Sequence, residues 1–348
     1  MNQKHYSVIE SGVVIITVIA IGFVLSKAAQ VAIPFMLAFL LSLLLSPVMK
    51  LGAKHKLPPG IAILSILIGF VAVCFPLGIF ISARLQGMME ILPEYYNRLI
   101  YIGQSILAKT SIPKDFLVTF NWHNTIGRYL SGMTGFFFNW FSDLLMVTVF
   151  LIFMLLEYPH VENRLNMAFK GENAHKAKEI GDKIVYQISR YLRTLTVISF
   201  VTGVCVWLSL HLLGIDFALT WGVLAFFLNF IPTIGSILAS IPPILIALVQ
   251  FYPNWVPSVV ILFSLLSIQF IIGNIITPKI MGEALDLNPI VILISLLFWG
   301  LLWGFSGALL AVPITVVIKI ICENIPQLHF INVLIGSAKE RTEPKEQE

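Results

Sequence analysis

Apolar positions in this chain form long unbroken runs instead of the alternating faces of a water-soluble protein. Between Phe217 and Pro278, 62 residues pass without an Asp, Glu, Lys or Arg, and Leu287–Ile318 adds another 32. A soluble element keeps some part of its surface toward water. Charge-free runs of this length point instead to hydrocarbon, where a charge near the bilayer centre costs about 2.5–3.5 kcal/mol. The pattern predicts an all-α integral membrane protein of about eight transmembrane segments, with an external and a cytoplasmic amphipathic helical segment between them.

The runs and the polar stretches divide the chain into six parts. Residues 1–83 hold three segments, near Gly12–Ser26, Val31–Met49 and Ile61–Ala83. Lys4 before Gly12–Leu25, and the small residues around Lys27, would also suit a signal peptide. A second apolar run follows at once, however, so the first is read as an uncleaved span. Lys50, Lys54 and Lys56 share a short loop without an acid. By the positive-inside rule this loop, and with it the N-terminus, is cytoplasmic.

Residues 84–135 then form an external segment. In it Leu85, Met88, Met89, Leu92, Tyr95, Tyr96, Leu99 and Ile102 recur at helical spacing, with Pro93 as an expected kink. A fourth span covers 136–156. Residues 157–194 make a cytoplasmic helical segment whose stripe Ile180, Ile184, Ile188, Tyr191 runs into a fifth span from Leu195, predicting one long helix. A C-terminal membrane core follows over 195–325 and a cytoplasmic tail over 326–348.

The core contains two apolar stretches too long for one crossing. Phe217–Gln250 is 34 residues, about 51 Å as a straight helix against a hydrocarbon core of about 30 Å. It is interrupted at Asn229-Phe-Ile-Pro-Thr-Ile-Gly235 and again at Pro242-Pro243. Leu287–Ile318 is interrupted at Trp299-Gly-Leu-Leu-Trp-Gly-Phe-Ser-Gly307 and at Pro313. The sixth and last segments are therefore broken or re-entrant, and spacing alone does not choose between a kinked span and a hairpin. Gly235–Pro242 and Ser306–Pro313 also read as a weak internal repeat.

A break frees backbone groups that lipid does not satisfy, so it survives only against protein or a wet cavity, and half-helix ends present partial charges there. That makes Asn229, Pro232, Thr233 and Gly235 candidates for a substrate pathway, with Gly304 and Gly307 at the second break. The same residues also suit a packing kink capped by the Asn229 amide. Gln269 and Asn274 are amides within the seventh segment, as lining residues or as interhelical glue. Ionisable groups are few. Glu157, Asp216 and Lys279 are the candidates for ion coupling, each near an interface where an anchoring role is equally natural; Lys279 would pair with Glu283 at i,i+4, and Lys319 with Glu323.

Composition agrees and narrows the classes. Hydrophobic residues make up 58% and charged residues 11% of the chain, with mean hydropathy +0.91. An average soluble domain is about 25% charged. The net charge of +4 sits in loops and tails, which is a topology signal and excludes a nucleic-acid surface. Cys74, Cys205 and Cys322 lie in or beside apolar runs without metal-ligand spacing. No metal site, cofactor site, nucleophile elbow or phosphate loop is present, so neither an enzyme nor an ATP-driven pump is expected.

Three stretches in order carry a family resemblance. They are Asn229-Phe-Ile-Pro-Thr-Ile-Gly235 with the following Ser-Ile-Leu-Ala-Ser-Ile-Pro-Pro, then Gly273-Asn-Ile-Ile-Thr-Pro-Lys-Ile-Met-Gly282, then Phe298-Trp-Gly-Leu-Leu-Trp-Gly-Phe-Ser-Gly-Ala-Leu-Leu-Ala-Val-Pro313. Phe153-Met-Leu-Leu-Glu157 and Ile33-Pro-Phe35 fit as well. Over about residues 10–325 the chain resembles the autoinducer-2 exporter (AI-2E) family. The resemblance implies a bacterial inner-membrane, multi-pass secondary transporter, with both termini cytoplasmic. Its partners would be the lipid bilayer and a small-molecule cargo like autoinducer-2, and a homo-oligomer is compatible with it. Some family members resemble sodium/proton antiporters, which the scarcity of mid-membrane acids here disfavours. A non-transporting membrane scaffold is the remaining alternative.

Overall fold

A computed structural model describes residues 20–56, 58–107, 143–157, 172–232, 234–281 and 287–336, with 16–17, 160, 164 and 167–168. The regular structure of these residues is helical, with one isolated antiparallel bridge from Leu287 to Gly336. The chain belongs to two compact units. One takes Met1–Ile63, Leu145–Tyr191 and Glu283–Glu348; the other takes Leu64–Leu144 and Leu192–Gly282.

In the first unit, α1 (Ala20–Lys27) and α2 (Ala29–Lys54) are bent by 77° at Ala28. Pro34 lies in an early turn of α2, where a missing N–H costs little. The helix over 143–157 (α4) packs near it, with Phe35 and Phe150 edge to face at 5.6 Å. The start of α5 (Glu172–Leu212) also belongs here. Buried Ser189 donates to the Leu43 carbonyl at 3.1 Å, and Lys183 pairs with Glu323 at 2.7 Å. Glu323 thus has a cation on α5, besides the Lys319 that spacing places at i,i−4. Leu151, Leu155, Ile188, Leu310 and Ile320 are fully buried.

The last helix of the membrane core, α6 (Pro289–Asn324), opens with Asn288 as its N-cap, whose side chain accepts from the Ile290 amide at 2.9 Å, and Pro289 in the first turn. By length alone it would be one crossing. It is not straight. Gly304 has φ 61° and ψ −141°, outside the helical region. Ser295 and Thr315 would be about 30 Å apart along a straight helix, yet their hydroxyls are 2.6 Å apart, and Ser295 also donates to the Ala311 carbonyl at 3.1 Å. The chain therefore folds back at Gly304 into a helical hairpin with arms over 289–303 and 305–324. Beyond it, a 3-10 turn (Pro326–Leu328) and α7 (His329–Ile335) return to the hairpin's start, where the Asn288 amide donates to the Ile335 carbonyl at 2.9 Å. The beginning of the segment expected as a tail is thus structured; Lys339–Glu348 lies outside the described residues.

In the second unit, α3 (Pro59–Leu107) runs 49 residues through Pro76 and Pro93 without a break. The third span and the start of the expected external segment are one helix, which does not end at residue 84; the remainder, 108–135, lies outside the described residues. The amphipathic stripe finds its cover. Tyr95 and Ile102 are buried with Val249, against Ile246 and Tyr252. Likewise α5 is continuous over 41 residues, as the stripe through Tyr191 predicts.

After α5 the chain forms a first hairpin from α8 (Ala218–Leu228) and α9 (Ile234–Gln250). Asp216 and Gln250 would be about 51 Å apart in a straight helix, yet the Asp216 amide donates to Gln250 Oε1 at 3.0 Å. A further helix, α10 (Val256–Ile271), continues through a π turn (Ile272–Ile276) into α11 (Thr277–Met281). Val206, Leu210, Trp221, Ala225, Ala239, Ala247, Ile261 and Leu265 form the unit's core. Small residues let α5 and α8 approach closely: a Cβ on Gly203 would lie 2.8 Å from the Gly222 carbonyl oxygen.

Among the described residues, segments long and apolar enough to cross a bilayer are Gly60–Met88, His175–Leu212, Val256–Ile280 and Pro289–Asn324, the last of them folded back at Gly304, with the bent α1–α2 pair a further one if counted as a single crossing. Among the described residues the architecture is thus an all-α membrane fold of long helices and two fold-back hairpins.

Candidate functional site

The first hairpin's tip is built by Asn229, Phe230, Ile231 and Pro232. Its backbone is turned in on itself. The Asn229 amide donates to the Ala225 carbonyl at 3.0 Å, the Ile231 amide to Leu228 at 2.9 Å, and the Gly235 amide to Ile231 at 3.0 Å. Pro232 brings no N–H that would need a partner. The C-terminal end of α8 and the N-terminal end of α9 meet here, bringing partial charges of opposite sign together. Asn229 Nδ2 donates to Ser199 Oγ on α5 at 3.0 Å, and Ser199 is fully buried. Gly235 is needed for contact: a Cβ there would overlap the Leu228 carbonyl. Thr233 lies outside the described residues.

The second hairpin's tip is aromatic. Trp299 and Trp303 have ring centroids 4.8 Å apart, with Phe298 5.3 Å from Trp299. Gly307 is buried, and a Cβ on it would overlap the Trp299 carbonyl and come within 2.8 Å of Trp303 Cβ. Trp303 Nε1 donates to the Leu25 carbonyl at 2.9 Å. In an unbroken helix that carbonyl would take the Ala29 amide, which lies beyond the bend at Ala28. The indole thus satisfies a backbone group at the bend, as a group in lipid requires.

The amides of the seventh segment behave differently from each other. Gln269 is half-buried in the last turn of α10, whereas Asn274 is exposed within the π turn. Thr277 Oγ1 donates back to the Ile272 carbonyl at 2.7 Å across that turn. π turns often mark functional positions in helices. Asn229, Pro232, Gly235, Gln269 and Asn274 belong to one unit, and Gly304 and Gly307 to the other.

Of the ion-coupling candidates, Glu157 belongs to the first unit and Asp216 and Lys279 to the second. Glu157 ends α4 and pairs with Arg164 at 2.7 Å. Lys279 is exposed on α11, and Glu283 lies outside the described residues. Asp216 sits at the first hairpin's open end, where Tyr95 Oη donates to Oδ2 at 2.5 Å. Burial, then the hydrogen bond to Asp216, pushes the Tyr95 phenol well above its ordinary value, so it stays a proton donor. Among the described residues no three His, Cys, Asp or Glu side chains come together as a metal site would need.

Ser199, Tyr95, Gln250 and Trp303 were not singled out as functional by spacing. Their partners lie 30 to 278 residues away in sequence. Tyr95 was visible only as a member of an apolar stripe, and Gln250 only as the end of an apolar run.

Comparison with known proteins agrees with this architecture. Residues 13–327 match the model of the AI-2E family transporter. The AI-2 transport protein TqsA of Escherichia coli K12 is 32% identical over 337 residues, covering 94% of this chain and 95% of TqsA. A Borreliella burgdorferi protein with a provisional transport designation is 33% identical over 326 residues, covering 94% and 90% of the two chains. A Haemophilus influenzae protein with the same designation is 30% identical over 345 residues, covering 94% and 96%. Long apolar helices, two fold-back hairpins and a match along nearly the whole chain lead to one conclusion: the protein is a multi-pass membrane protein of the AI-2E transporter family.

Proposed function

We propose that this transporter exports a small, polar, uncharged signal molecule, autoinducer-2 or a close chemical relative, across the bacterial inner membrane, with both termini in the cytoplasm. The observation that carries the reading is the similarity to TqsA, an AI-2 transport protein, over 95% of that protein's length. The chemistry of the tips supports it. Asn229, Thr233 and the half-helix ends at the first hairpin, Gln269 and Asn274 on the neighbouring segment, and the Trp faces near Gly304 and Gly307 suit a hydroxylated neutral cargo. Glu157 at the end of α4 pairs with Arg164, and Asp216 before α8 accepts from Tyr95; neither lies within a spanning helix, where a cation antiporter would be expected to hold its acids.

The test is flux of labelled autoinducer-2 in vesicles containing the purified protein, with and without a proton gradient. Protein-dependent flux is expected, and its gradient dependence separates coupled export from passive passage. Absence of flux in both conditions removes this cargo. Two variants then locate the path. Asn229→Leu is expected to lower flux about tenfold or more, whereas Ser199→Ala, which removes the amide's partner and keeps the amide, lowers it far less. Equal losses would make Asn229 interhelical glue. Gln269→Leu is expected to reduce flux with the protein still in the membrane; unchanged flux removes Gln269 from the path.

A further inference from the structure

The first hairpin is tied at both ends, and the two ties differ in kind. At the tip, Asn229 meets a fully buried Ser199, and Gly235 lies against the Leu228 carbonyl with no room for a methyl group. That end is partly buried, with Ile231 in the interior, and is held by close backbone contact. At the open end the tie is a polar network near exposed surface. Tyr95 Oη donates to Asp216 Oδ2 at 2.5 Å, the Asp216 amide to Gln250 Oε1 at 3.0 Å, and Gln250 Nε2 to the Gly214 carbonyl at 2.7 Å. Trp221 Nε1 donates to the Asp216 carbonyl at 3.1 Å. Arg98, paired with Glu94 at 2.7 Å, reaches the Gln250 carbonyl at 3.4 Å. Asp216, Glu94 and Arg98 are exposed, while α3 meets this end through Tyr95 and Ile102 against Val249, Ile246 and Tyr252, and Ile215, Ala218, Trp221 and Ala247 beside the network belong to the unit's core. Exposed polar contacts, which water can replace, are the ones that open first in a structure.

We infer that the C-terminal part of α3 is a strap that clasps the open end of the α8–α9 hairpin through Tyr95, Asp216 and Gln250, and that the hairpin opens reversibly there and not at its tip. Tyr95 is on this account a positioning residue: it touches no cargo and sets how readily the hairpin parts. Water reaches the exposed clasp and competes for its donors and acceptors, and it competes less at the Asn229 contact, whose Ser199 partner is buried. The inference deepens the transport reading, on which it rests only for the use of the motion in a cycle.

Hydrogen–deuterium exchange on the full-length protein in detergent or nanodiscs tests the clasp without any cargo. Tyr95→Phe removes one hydroxyl and keeps the ring. It is expected to raise exchange about tenfold at 214–220 and 248–252, with 229–236 unchanged. Asp216→Ala should do the same, while Asp216→Asn, which keeps a side-chain oxygen for Tyr95, should restore most of the protection. No rise at the open end, or an equal rise at the tip, overturns the inference. In the vesicle assay Tyr95→Phe should change the maximal rate at constant KM; a change in KM would place Tyr95 on the cargo path and also overturn it. A wild-type protein without flux would remove the transport reading, and the exchange result would still judge the clasp.

Discussion

Gly235→Ala and Gly307→Ala are each expected to unfold their hairpin, with a loss of about 3 kcal/mol or more. The reason is where the added methyl group falls. At Gly235 it would enter the space of the Leu228 carbonyl, and at Gly307 that of the Trp299 carbonyl with Trp303 Cβ only 2.8 Å away. Backbone on one arm does not give way as a side chain would, so the arms must separate. Separation exposes the carbonyls that end α8 and the 289–303 arm, and lipid offers them no donor. Gly273→Ala is the control. Nothing lies within 4 Å of its would-be Cβ, and alanine in a helix is favoured over glycine by about 0.5–1 kcal/mol. Thermal unfolding in mild detergent, read by size exclusion, should show Gly273→Ala at or above wild type and the other two far below. Wild-type behaviour of Gly235→Ala would mean that the hairpin tip is looser than drawn.

Gly304→Ala should act by a different route. No atom lies within 4 Å of a Cβ at Gly304, so packing does not forbid it, but its φ of 61° with ψ of −141° does. Holding alanine there costs about 1–3 kcal/mol. The relaxed alternative is continuous helix, which carries residue 315 about 30 Å from residue 295. A disulfide reads the choice directly. Ser295 and Thr315 hydroxyls are 2.6 Å apart, which puts the pair Ser295→Cys and Thr315→Cys within bridging reach. With Cys74, Cys205 and Cys322 replaced, the double-cysteine protein should oxidise almost completely, and adding Gly304→Ala should cut the bridged fraction severalfold. Failure of the parent pair to bridge would refute the fold-back itself.

The limits of the linear pattern are visible in particular residues. The breaks at Asn229–Gly235 and Trp299–Gly307 were legible because proline, glycine and amides interrupt otherwise charge-free runs. Whether each break kinks a span or reverses it was not, since both use the same local residues. Reversal depends on contacts such as Ser295 with Thr315 and Asp216 with Gln250. The helix runs on past the expected boundary at Arg84 for a related reason. A change from apolar to amphipathic composition marks where a helix leaves one solvent, not where it ends, and α3 passes through Pro93 while its stripe is covered by Val249 and Ile246. Spacing gives Glu323 a cation at i,i−4, and only the tertiary structure brings Lys183 to it as well.

Sequence by itself determined that this protein is helical, lives in a bilayer, belongs with the AI-2E transporters and interrupts its membrane core at two places. Those properties follow from solvent demand on each local stretch and from motifs read in order. Tertiary structure alone decided that both interruptions are reversals, that Ser199 holds the first tip and Leu25 takes the Trp303 indole, and that Tyr95 meets Asp216 at the open end. A backbone group freed in lipid must find a partner, but nothing in the local pattern says which distant residue supplies it.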